Sequence, residues 1–438
     1  MSQGSDILLT LYDAAIGGAD PAQATARAIS SLDIPRDRRI LLFAVGKAAS
    51  PMATAAVEAL LQSLHRVAGG VVVSVEEERT PYPTLVSLRG DHPIPGRQSL
   101  AAANKIGEFA AGKRANDVAI VLVSGGASSL IGAPLRGHTE TDLSALYQQL
   151  LGSGLDIASM NAVRKRFSRW GGGRLALALA PAATFCLAVS DVPGDDLSVI
   201  GSGPCAPDRT TASQVVGILE AAGLSGRLAS AHRDYLGSVL KGVSAETPKP
   251  QHPAFAHVST RVIATNRTAL NAAAVAAMSR GMAVEIVEEQ LQGAAADAGA
   301  EIARKLISAR ATRNGAAKCV IWGGETTVTT AGTTAGVSGG GRCQEMVLAA
   351  AKALGDAGES AAGIRLLAAG TDGRDGVTEA AGAMADSSTW SAMLDAGVDP
   401  ASALSRHEST RALSAVHALI PRRRTGTNVM DVAIGLIE

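Results

Sequence analysis

The chain has 438 residues, of which 47% are hydrophobic and 18% are charged, so it can build two or three domain cores and is too apolar to be largely disordered. Forty basic residues balance forty acidic ones, which excludes the net field that would attract nucleic acid or an anionic membrane. Aromatic residues make up only 3%, and the resulting Val, Leu, Ile and Ala core is typical of parallel strands covered by alanine-rich helices.

The N-terminal segment and the cysteines favour a cytoplasmic protein. Residues 1–6 lack the basic start and apolar core of a signal peptide. The longest apolar stretch, residues 175–189, is interrupted by Pro181 and is too short to span a bilayer. Four widely spaced cysteines without a Cys-x-x-Cys pair indicate buried thiols rather than a zinc or disulfide site.

Strand and helix patterns alternate along the first half of the chain, which predicts a βαβ architecture. The predicted elements are 39–45 (strand), 51–61 (helix), 70–75 (strand), 99–111 (helix), 117–123 (strand) and 155–168 (basic helix). Three prolines in the polar run 244–253 then predict a domain boundary, giving domains 1–247 and 256–438. The alternation restarts with 261–265 (strand), 266–279 (helix), 283–288 (strand), 294–310 (helix) and 318–322 (strand).

Glycine-rich loops with hydroxyl, carboxylate or arginine side chains follow several predicted strands. The loops are Ser124–Ser129, Ser190–Asp196, Gly323–Thr329 with Ser338–Glu345, and Gly370–Gly376. Glycine permits close backbone approach, so successive N–H groups can converge on an anion. Because ligands bind at the carboxyl edge of open α/β sheets, these loops indicate a site that handles phosphate.

The commonest nucleotide signatures are nevertheless missing. Gly46-Lys47 lacks the upstream glycine and the following Ser or Thr of a P-loop. Gly201-Ser-Gly203 continues into Pro204, so it does not form a dinucleotide-binding fingerprint.

The order of the motifs resembles one family over nearly the whole chain, the class II glycerate 2-kinases of the MOFRL family, which are also known as hydroxypyruvate reductases. The matching stretches are Val45–Ala48, Gly90–Gly96, Ser124–Ser129, Asn161–Lys165, Gly172–Leu175, Ser190–Asp196, Gly201–Pro204, Gly323–Val328, Gly340–Arg342, Ala369–Gly373 and Thr425–Asn428.

The resemblance implies a Rossmann-like, three-layer N-terminal α/β domain with a parallel sheet and a smaller C-terminal α/β (MOFRL) domain. It also implies ATP-dependent, Mg²⁺-assisted phosphorylation of D-glycerate at the 2-hydroxyl, in a cleft between the domains. The expected partners are therefore a small-molecule substrate and a nucleotide. A homodimer is one expected assembly, although the sequence does not fix the oligomeric state.

The resemblance and the residue chemistry together predict a set of site residues. The predicted catalytic residues are Lys47, Asp191 and Arg342. The predicted nucleotide or phosphate contacts are Ser124, Gly125, Gly126, Ser128, Gly324, Glu325, Thr326, Thr371 and Asp372. Predicted substrate contacts are Asn161, Arg164, Lys165 and His92, and predicted metal contacts are Asp195 and Asp375.

Structural roles compete with each of these assignments. Aspartates often cap helices or stabilise turns, and a basic helix face is often simply solvated. The chain also departs from the family pattern at Cys343, Ala127 and Gln292, which puts loop geometry and one polar contact in doubt. Two other functions stay open: an NAD(P)H-dependent hydroxypyruvate reductase, and a non-catalytic sensor of sugar acids or nucleotides.

Overall fold

The computed structural model describes residues 3–76, 82–313, 315–328 and 339–438. Thr329, the last residue of the motif Gly323–Thr329, and Ser338, the first residue of Ser338–Glu345, lie outside the described residues. The strands are β1 (Ile40–Val45), β2 (Val67–Ser74), β3 (Leu85–Arg89), β4 (Val118–Val123), β5 (Ala183–Val189), β6 (Val258–Ala264), β7 (Ala283–Ile286), β8 (Lys318–Gly324), β9 (Ile364–Gly370), β10 (Ala380–Asp386), β11 (Leu419–Pro421) and β12 (Asp431–Ile437).

The helices are α1 (Gln3–Gly18), α2 (Pro21–Ser30), α3 (Ala49–Gln62), α4 (Arg97–Ala111), α5 (Ala127–Leu130), α6 (Glu140–Leu151), α7 (Ile157–Phe167), α8 (Arg174–Leu179), α9 (Ala212–Ala221), α10 (Ser230–Leu240), α11 (Asn266–Met278), α12 (Ala295–Ala311), α13 (Arg342–Ala357), α14 (Thr389–Asp395), α15 (Pro400–Ser405) and α16 (Ser409–Ser414). In this part of the chain no helix combines the length and apolarity that crossing a membrane requires.

The chain forms two compact units, Pro21–Ile263 and Met1–Asp20 with Ala264–Glu438, hereafter the N-terminal and C-terminal units. This division differs from the predicted boundary at residues 244–253. The polar run there stays within the N-terminal unit, where Pro248 accepts a hydrogen bond from the Asp208 backbone N–H. Strand β6 then joins the N-terminal sheet, while α1 packs against α11 of the C-terminal unit.

The N-terminal unit is built on a sheet of order β3-β2-β1-β4-β5-β6. Strands β1, β2, β3, β4 and β5 run parallel, and every residue of the central strands β1 and β4 is buried. Full burial of apolar strands requires helices over both faces, which is why these runs lack polar alternation. The predicted α/β fold class is confirmed.

The strand order reverses between β1 and β4. In a doubly wound sheet this reversal opens a crevice at the carboxyl ends of the two strands, because the following helices pass to opposite faces. Gly46 and Lys47 follow β1, and Ser124 to Gly126 follow β4. The fold therefore brings two of the predicted motifs to the position where such sheets bind ligands.

A second apolar core in the N-terminal unit lies among α6, α7, α9 and α10. Its largest buried side chains are those of Tyr147 and Phe167, packed with leucines and valines of the same helices. The α7 helix is held by this core on one side, and Asp156 caps its N-terminus by accepting from the Ser159 N–H at 2.7 Å. One face of α7 is thereby fixed in place beside the β4 loop.

The C-terminal unit contains a mixed sheet of order β11-β10-β9-β12-β8-β7. Strand β12 lies antiparallel between β8 and β9, whereas β7 and β8 are parallel. Helices α12 and α13 pack tightly together against this sheet. The sequence predicted the α/β class of this unit but not its mixed strand directions.

We expect Gly299→Ala to destabilise the C-terminal unit. A Cβ at Gly299 of α12 would lie 2.0 Å from the Met346 carbonyl oxygen of α13, so the two helices would have to separate. A loss of about 1–3 kcal/mol in the free energy of unfolding follows from such overpacking. Urea unfolding followed by circular dichroism measures it.

The matched control is Gly17→Ala in α1 of the same unit, where the added methyl meets no atom within 4 Å. That substitution should leave stability unchanged or raise it by up to about 1 kcal/mol, because alanine favours helix. Equal effects of the two substitutions would contradict the close approach of α12 and α13.

Candidate functional site

The loops after β1 and β4 are joined by their backbones. The Lys47 N–H donates to the Gly125 carbonyl at 2.9 Å, and the Ala48 N–H donates to the Ser124 Oγ at 3.0 Å. Gly46 has a φ of +133°, and a Cβ there would lie 2.1 Å from the Ser124 Oγ, so only glycine fits this crossing. Lys47 leaves the crossing with an exposed side chain.

The carboxylate of Asp191, which follows β5, lies against Gly125. A Cβ on Gly125 would be 2.0 Å from the Asp191 Oδ2, so a side chain at this position would displace the carboxylate. Burial raises the pKa of Asp191, while the positive charge of Lys47 acts to lower it. The negatively charged Asp191 and the positively charged Lys47 thus lie on either side of Gly125.

Gly126 completes this surface with a φ of +85°. The ring of His92 and the Lys47 side chain both approach it, at 3.1 Å and 3.5 Å from the position a Cβ would take. Burial, together with the charges of Lys47 and Arg164, lowers the pKa of His92 to about 4. His92 is therefore neutral near pH 7 and offers a hydrogen bond without adding charge.

We call these side chains with Gly125 and Gly126 the switch-point site: Lys47, His92, Asp191 and Arg164. The backbone N–H groups of Gly125 and Gly126 donate to no acceptor among the described residues. Adjacent unpaired N–H groups beside a lysine form a surface that suits an anion. The Asp191 carboxylate lies directly beside this surface.

Helix α7 carries the basic residues that were predicted to bind substrate, and these residues have different neighbours in the structure. Arg164 is only 8% exposed, and its guanidinium lies 4.8 Å from the centre of the Tyr147 ring. Asn161 is buried nearby, with its Nδ2 3.5 Å from the Val199 carbonyl oxygen. Lys165 instead pairs with buried Asp208 at 2.9 Å, so the geometry gives its predicted substrate role no support.

The serines of the β4 loop are engaged with protein groups. The Ser124 Oγ accepts from the Ala48 N–H, just before α3, and the Ser128 Oγ lies 2.7 Å from the Ser202 Oγ. The Tyr147 hydroxyl donates to the Ser128 carbonyl at 3.1 Å. Sequence reasoning assigned no site role to either partner: Tyr147 lies in no motif, and Ser202 lies in the motif Gly201–Pro204, far from Ser128 along the chain.

In the C-terminal unit, Arg342 begins α13 and is held by two carboxylates. Its Nη2 lies 2.8 Å from the Asp431 Oδ1, and its Nη1 lies 3.0 Å from the Glu325 Oε1. Burial acts to lower the pKa of Arg342, but the hydrogen bonds and charge of Asp431 outweigh it and raise the pKa. Asp431 was not among the predicted residues; the motif pattern carries no signal for it.

Asp375 lies at the N-terminus of α13. Its two carboxylate oxygens accept from the Cys343 N–H at 3.0 Å and the Gln344 N–H at 2.8 Å. The carboxylate thus occupies the end of the helix where an external anion could otherwise bind. This geometry makes Asp375 a helix cap, and its metal contact stays a prediction.

The remaining predicted residues of the C-terminal unit occupy loops after β8 and β9. Gly324 has a φ of +140° and approaches the Leu291 backbone, and the Glu325 N–H donates to the Leu291 carbonyl at 2.9 Å. Thr326 is buried, and its Oγ1 has no hydrogen-bond partner among the described residues.

Thr371 is wholly buried in the loop after β9, and its side chain bonds to the segment that precedes β12. Its Oγ1 donates to the Met430 carbonyl at 2.6 Å and accepts from the Val429 N–H at 2.8 Å. Asp372 accepts from the Arg374 N–H at 3.0 Å, which is an Asx-type turn. Both contacts stabilise the loop, and the nucleotide roles of Thr371, Asp372, Gly324, Glu325 and Thr326 stay predictions.

The carboxylates do not form a ready-made metal cage. Within the described ranges, no group of three or more His, Cys, Asp or Glu side chains is placed to hold a metal ion. Asp195 is partly exposed in the turn Pro193–Asp195, with a φ of 54°. Magnesium often needs only one or two carboxylates when phosphates supply the other oxygens, so Asp195 fits that limited role.

A doubly wound sheet with glycine, lysine and carboxylate groups at its switch point defines the class of α/β proteins that bind small anionic ligands. Comparison with known proteins narrows this class. A profile described as "Domain of unknown function (DUF4147)" matches residues 7–237, and the MOFRL family profile matches residues 318–431.

Relatives and a solved structure agree with these profiles. A D-glycerate 2-kinase from Thermotoga maritima is 35% identical over 95% of this chain and 94% of its own. A putative hydroxypyruvate reductase from Agrobacterium vitis is 38% identical over 98% of this chain and 94% of its own. The crystal structure of a glycerate kinase from Thermotoga maritima superposes with a TM-score of 0.86, at 33% identity and 99% coverage of both chains.

The chain therefore belongs to the MOFRL family of class II glycerate 2-kinases, as the order of its motifs predicted.

Asp431→Asn should weaken the C-terminal unit more than Glu325→Gln does. The Asp431 carboxylate is almost fully buried against Arg342, whereas Glu325 is 40% exposed. Removing a buried partner costs about 3 kcal/mol, whereas a solvated ion pair contributes at most about 1 kcal/mol. Urea unfolding of both variants gives the comparison, and a larger loss in Glu325→Gln would show that Asp431 does not hold Arg342.

Proposed function

We propose that this protein is a kinase that transfers the γ-phosphoryl group of ATP to the 2-hydroxyl of D-glycerate, giving 2-phosphoglycerate and ADP. The observation that carries the proposal is the meeting of Lys47, Asp191 and two unpaired glycine N–H groups at the switch-point site. Relatives named glycerate 2-kinase over the full chain length support the same reaction.

Phosphoryl transfer needs positioning and charge neutralisation more than covalent chemistry from the protein. Lys47 supplies a positive charge on a short loop fixed by the hydrogen bond from its N–H to Gly125. The N–H groups of Gly125 and Gly126 can donate to phosphoryl oxygens without moving, since their φ and ψ angles are already set. We assign charge neutralisation to these three residues.

Asp191 is proposed as the proton acceptor. As the 2-hydroxyl oxygen forms its bond to the γ-phosphorus, the bond from phosphorus to the bridging oxygen of ADP breaks and the hydroxyl proton passes to the carboxylate. A carboxylate whose pKa is raised by burial is a stronger base than a solvated aspartate. The charge of Lys47 opposes the burial effect on the pKa of Asp191 and so favours the ionised form of the carboxylate.

Magnesium is the metal that the reaction class implies. The described side chains fit it only in part, because no three-ligand cluster exists and Asp195 offers a single carboxylate near Asp191 in sequence. When bound with the nucleotide, Mg²⁺ would offset phosphate charge. The contribution of Asp195 is therefore proposed as a single contact beside the phosphates.

A reductase is the second function that a relative's name suggests. It would need a dinucleotide pocket, and the loop that follows β1 has one glycine where the dinucleotide fingerprint has three. The switch-point site contains a lysine and an aspartate suited to group transfer. We therefore favour the kinase.

The experiment that decides between them uses the purified full chain with D-glycerate, ATP and Mg²⁺. Phosphorus NMR resolves 2-phosphoglycerate from 3-phosphoglycerate, and a parallel assay follows NADH or NADPH oxidation with hydroxypyruvate. We expect 2-phosphoglycerate and no hydroxypyruvate-dependent oxidation. Oxidation without phosphoryl transfer would replace the kinase with the reductase, and the 3-isomer would correct the position of attack.

Lys47→Ala should reduce kcat by about two to four orders of magnitude, as loss of a fixed charge at a transition state does in other enzymes. Folding should be retained, because the Lys47 side chain is exposed and its structural contact is made by the backbone. Lys105→Ala on α4 is the control, since Lys105 pairs with Glu108 of its own helix. Near-normal turnover of folded Lys47→Ala would remove Lys47 from the mechanism.

A further inference from the structure

Two glycine motifs that the proposed reaction leaves unused, those beginning at Gly172 and Gly201, are bonded to each other. The Gly172 N–H donates to the Ser202 carbonyl at 2.8 Å. The Gly173 N–H donates to the Gly203 carbonyl, also at 2.8 Å. These two consecutive hydrogen bonds hold the backbone around Ser202 in one conformation.

The segment Gly201–Gly203 is a turn of three consecutive left-handed residues, with φ values of 58°, 62° and 59°. Glycine adopts this conformation readily, and a Cβ at Gly201 would lie 2.8 Å from the Val123 Cγ1 at the end of β4. Ser202, the middle residue, has a side chain and is therefore strained. Strained residues of this kind cluster at functional sites, where the surrounding structure holds them in place.

The Ser202 hydroxyl bonds directly to the β4 loop. Ser202 is 1% exposed, and its Oγ lies 2.7 Å from the Ser128 Oγ, the one hydrogen-bond partner that the described residues offer it. A buried O–H without an acceptor costs free energy, so Ser202 is the donor of this pair and Ser128 is the acceptor. Ser128 is only half-buried, and its own O–H hydrogen is left to donate to a ligand.

Ser128 is fixed on its backbone side as well. Its carbonyl accepts from the Tyr147 hydroxyl at 3.1 Å. Ser128 also follows closely after Gly125 and Gly126, whose unpaired N–H groups suit an anion. Its hydroxyl thus belongs to the same loop as these donors, with its oxygen held by Ser202.

We propose that Ser202 is a positioning residue, which donates to the Ser128 Oγ and thereby orients the Ser128 O–H toward an oxygen of the transferring phosphoryl group. This inference rests on the proposed kinase function. A donor that is already oriented needs no reorganisation when negative charge develops on the phosphoryl oxygens. The strained turn is retained because it places the Ser202 hydroxyl beneath the β4 loop.

Steady-state kinetics with D-glycerate and ATP test the two serines separately. Ser128→Ala should lower kcat by about 10²-fold, as loss of one preorganised donor does in other enzymes. Ser202→Ala should lower kcat by about 3- to 10-fold, because Ser128 keeps its hydroxyl but loses the bond that orients it. Both KM values should change by about twofold or less, since the interaction is made with the transition state.

The double variant Ser128→Ala/Ser202→Ala separates a positioning role from a merely structural one. If Ser202 acts through Ser128, removing its hydroxyl has no further effect on kcat once residue 128 is alanine. The double variant should therefore have the same kcat as Ser128→Ala. Losses that multiply in the double variant would overturn the inference.

Ser202→Gly keeps the inference testable if Ser202→Ala fails to fold. It removes the same hydroxyl but relieves the left-handed strain, so it should unfold at a higher temperature than Ser202→Ala and have the same reduced kcat. The matched control is Ser244→Ala, which breaks another serine pair of the N-terminal unit, the 2.7 Å bond from the Ser238 Oγ to the Ser244 Oγ. Its kcat should equal that of wild type, and a loss as large as that of Ser202→Ala would overturn the inference.

The outcomes distinguish the role of Ser202 from the reaction itself. If wild type does not phosphorylate D-glycerate, the kinase function is wrong and the inference falls with it. If wild type is active and both Ser202→Ala and Ser202→Gly retain full kcat, only the role of Ser202 is overturned. A rise in KM for ATP or for D-glycerate without a loss of kcat would assign Ser128 to ground-state binding and equally overturn the inference.

Discussion

The hydrogen bond from the Lys47 N–H to the Gly125 carbonyl joins the two loops on which the switch-point site depends. It can form only because Gly46 permits the close crossing beside Ser124, and because β1 and β4 are adjacent parallel strands. The crossing fixes the backbone of Lys47 and leaves the Gly125 surface open to Asp191. This one backbone hydrogen bond therefore brings Lys47, the N–H groups of Gly125 and Gly126, and the Asp191 carboxylate together.

Charged side chains in the described parts of the two units are used in different ways. In the C-terminal unit, Arg342 is neutralised by Asp431 and Glu325, and Asp375 satisfies the N-terminus of α13. In the N-terminal unit, Arg164 and the N–H groups of Gly125 and Gly126 lack such partners among the described residues. Unsatisfied donors cost free energy, so unpaired glycine N–H groups at a strand-order reversal favour ligand binding there.

The sequence predicted the α/β class and the strand-to-loop placement of Lys47, because continuous apolar runs and adjacent glycines carry strong local signals. It did not predict that β6 completes the first sheet, since the polar, proline-rich run at 244–253 has the composition of a domain linker. It also grouped Asn161, Arg164 and Lys165 as one basic face. Only the three-dimensional contacts with Asp208 and Tyr147 show that Lys165 is paired and that Arg164 is not.

Lys47 and Asp191 lie in one site, where the positive charge of Lys47 lowers the pKa of Asp191. Carbon-13 NMR titration of the aspartate carboxyls, with Asp191→Asn to assign the signal, measures the pKa of Asp191 in wild type and in Lys47→Met. The account predicts a pKa above the usual aspartate range in wild type, because burial raises it, and a still higher pKa in Lys47→Met, because the opposing charge is gone. An Asp191 pKa that is the same in both proteins would contradict the claim.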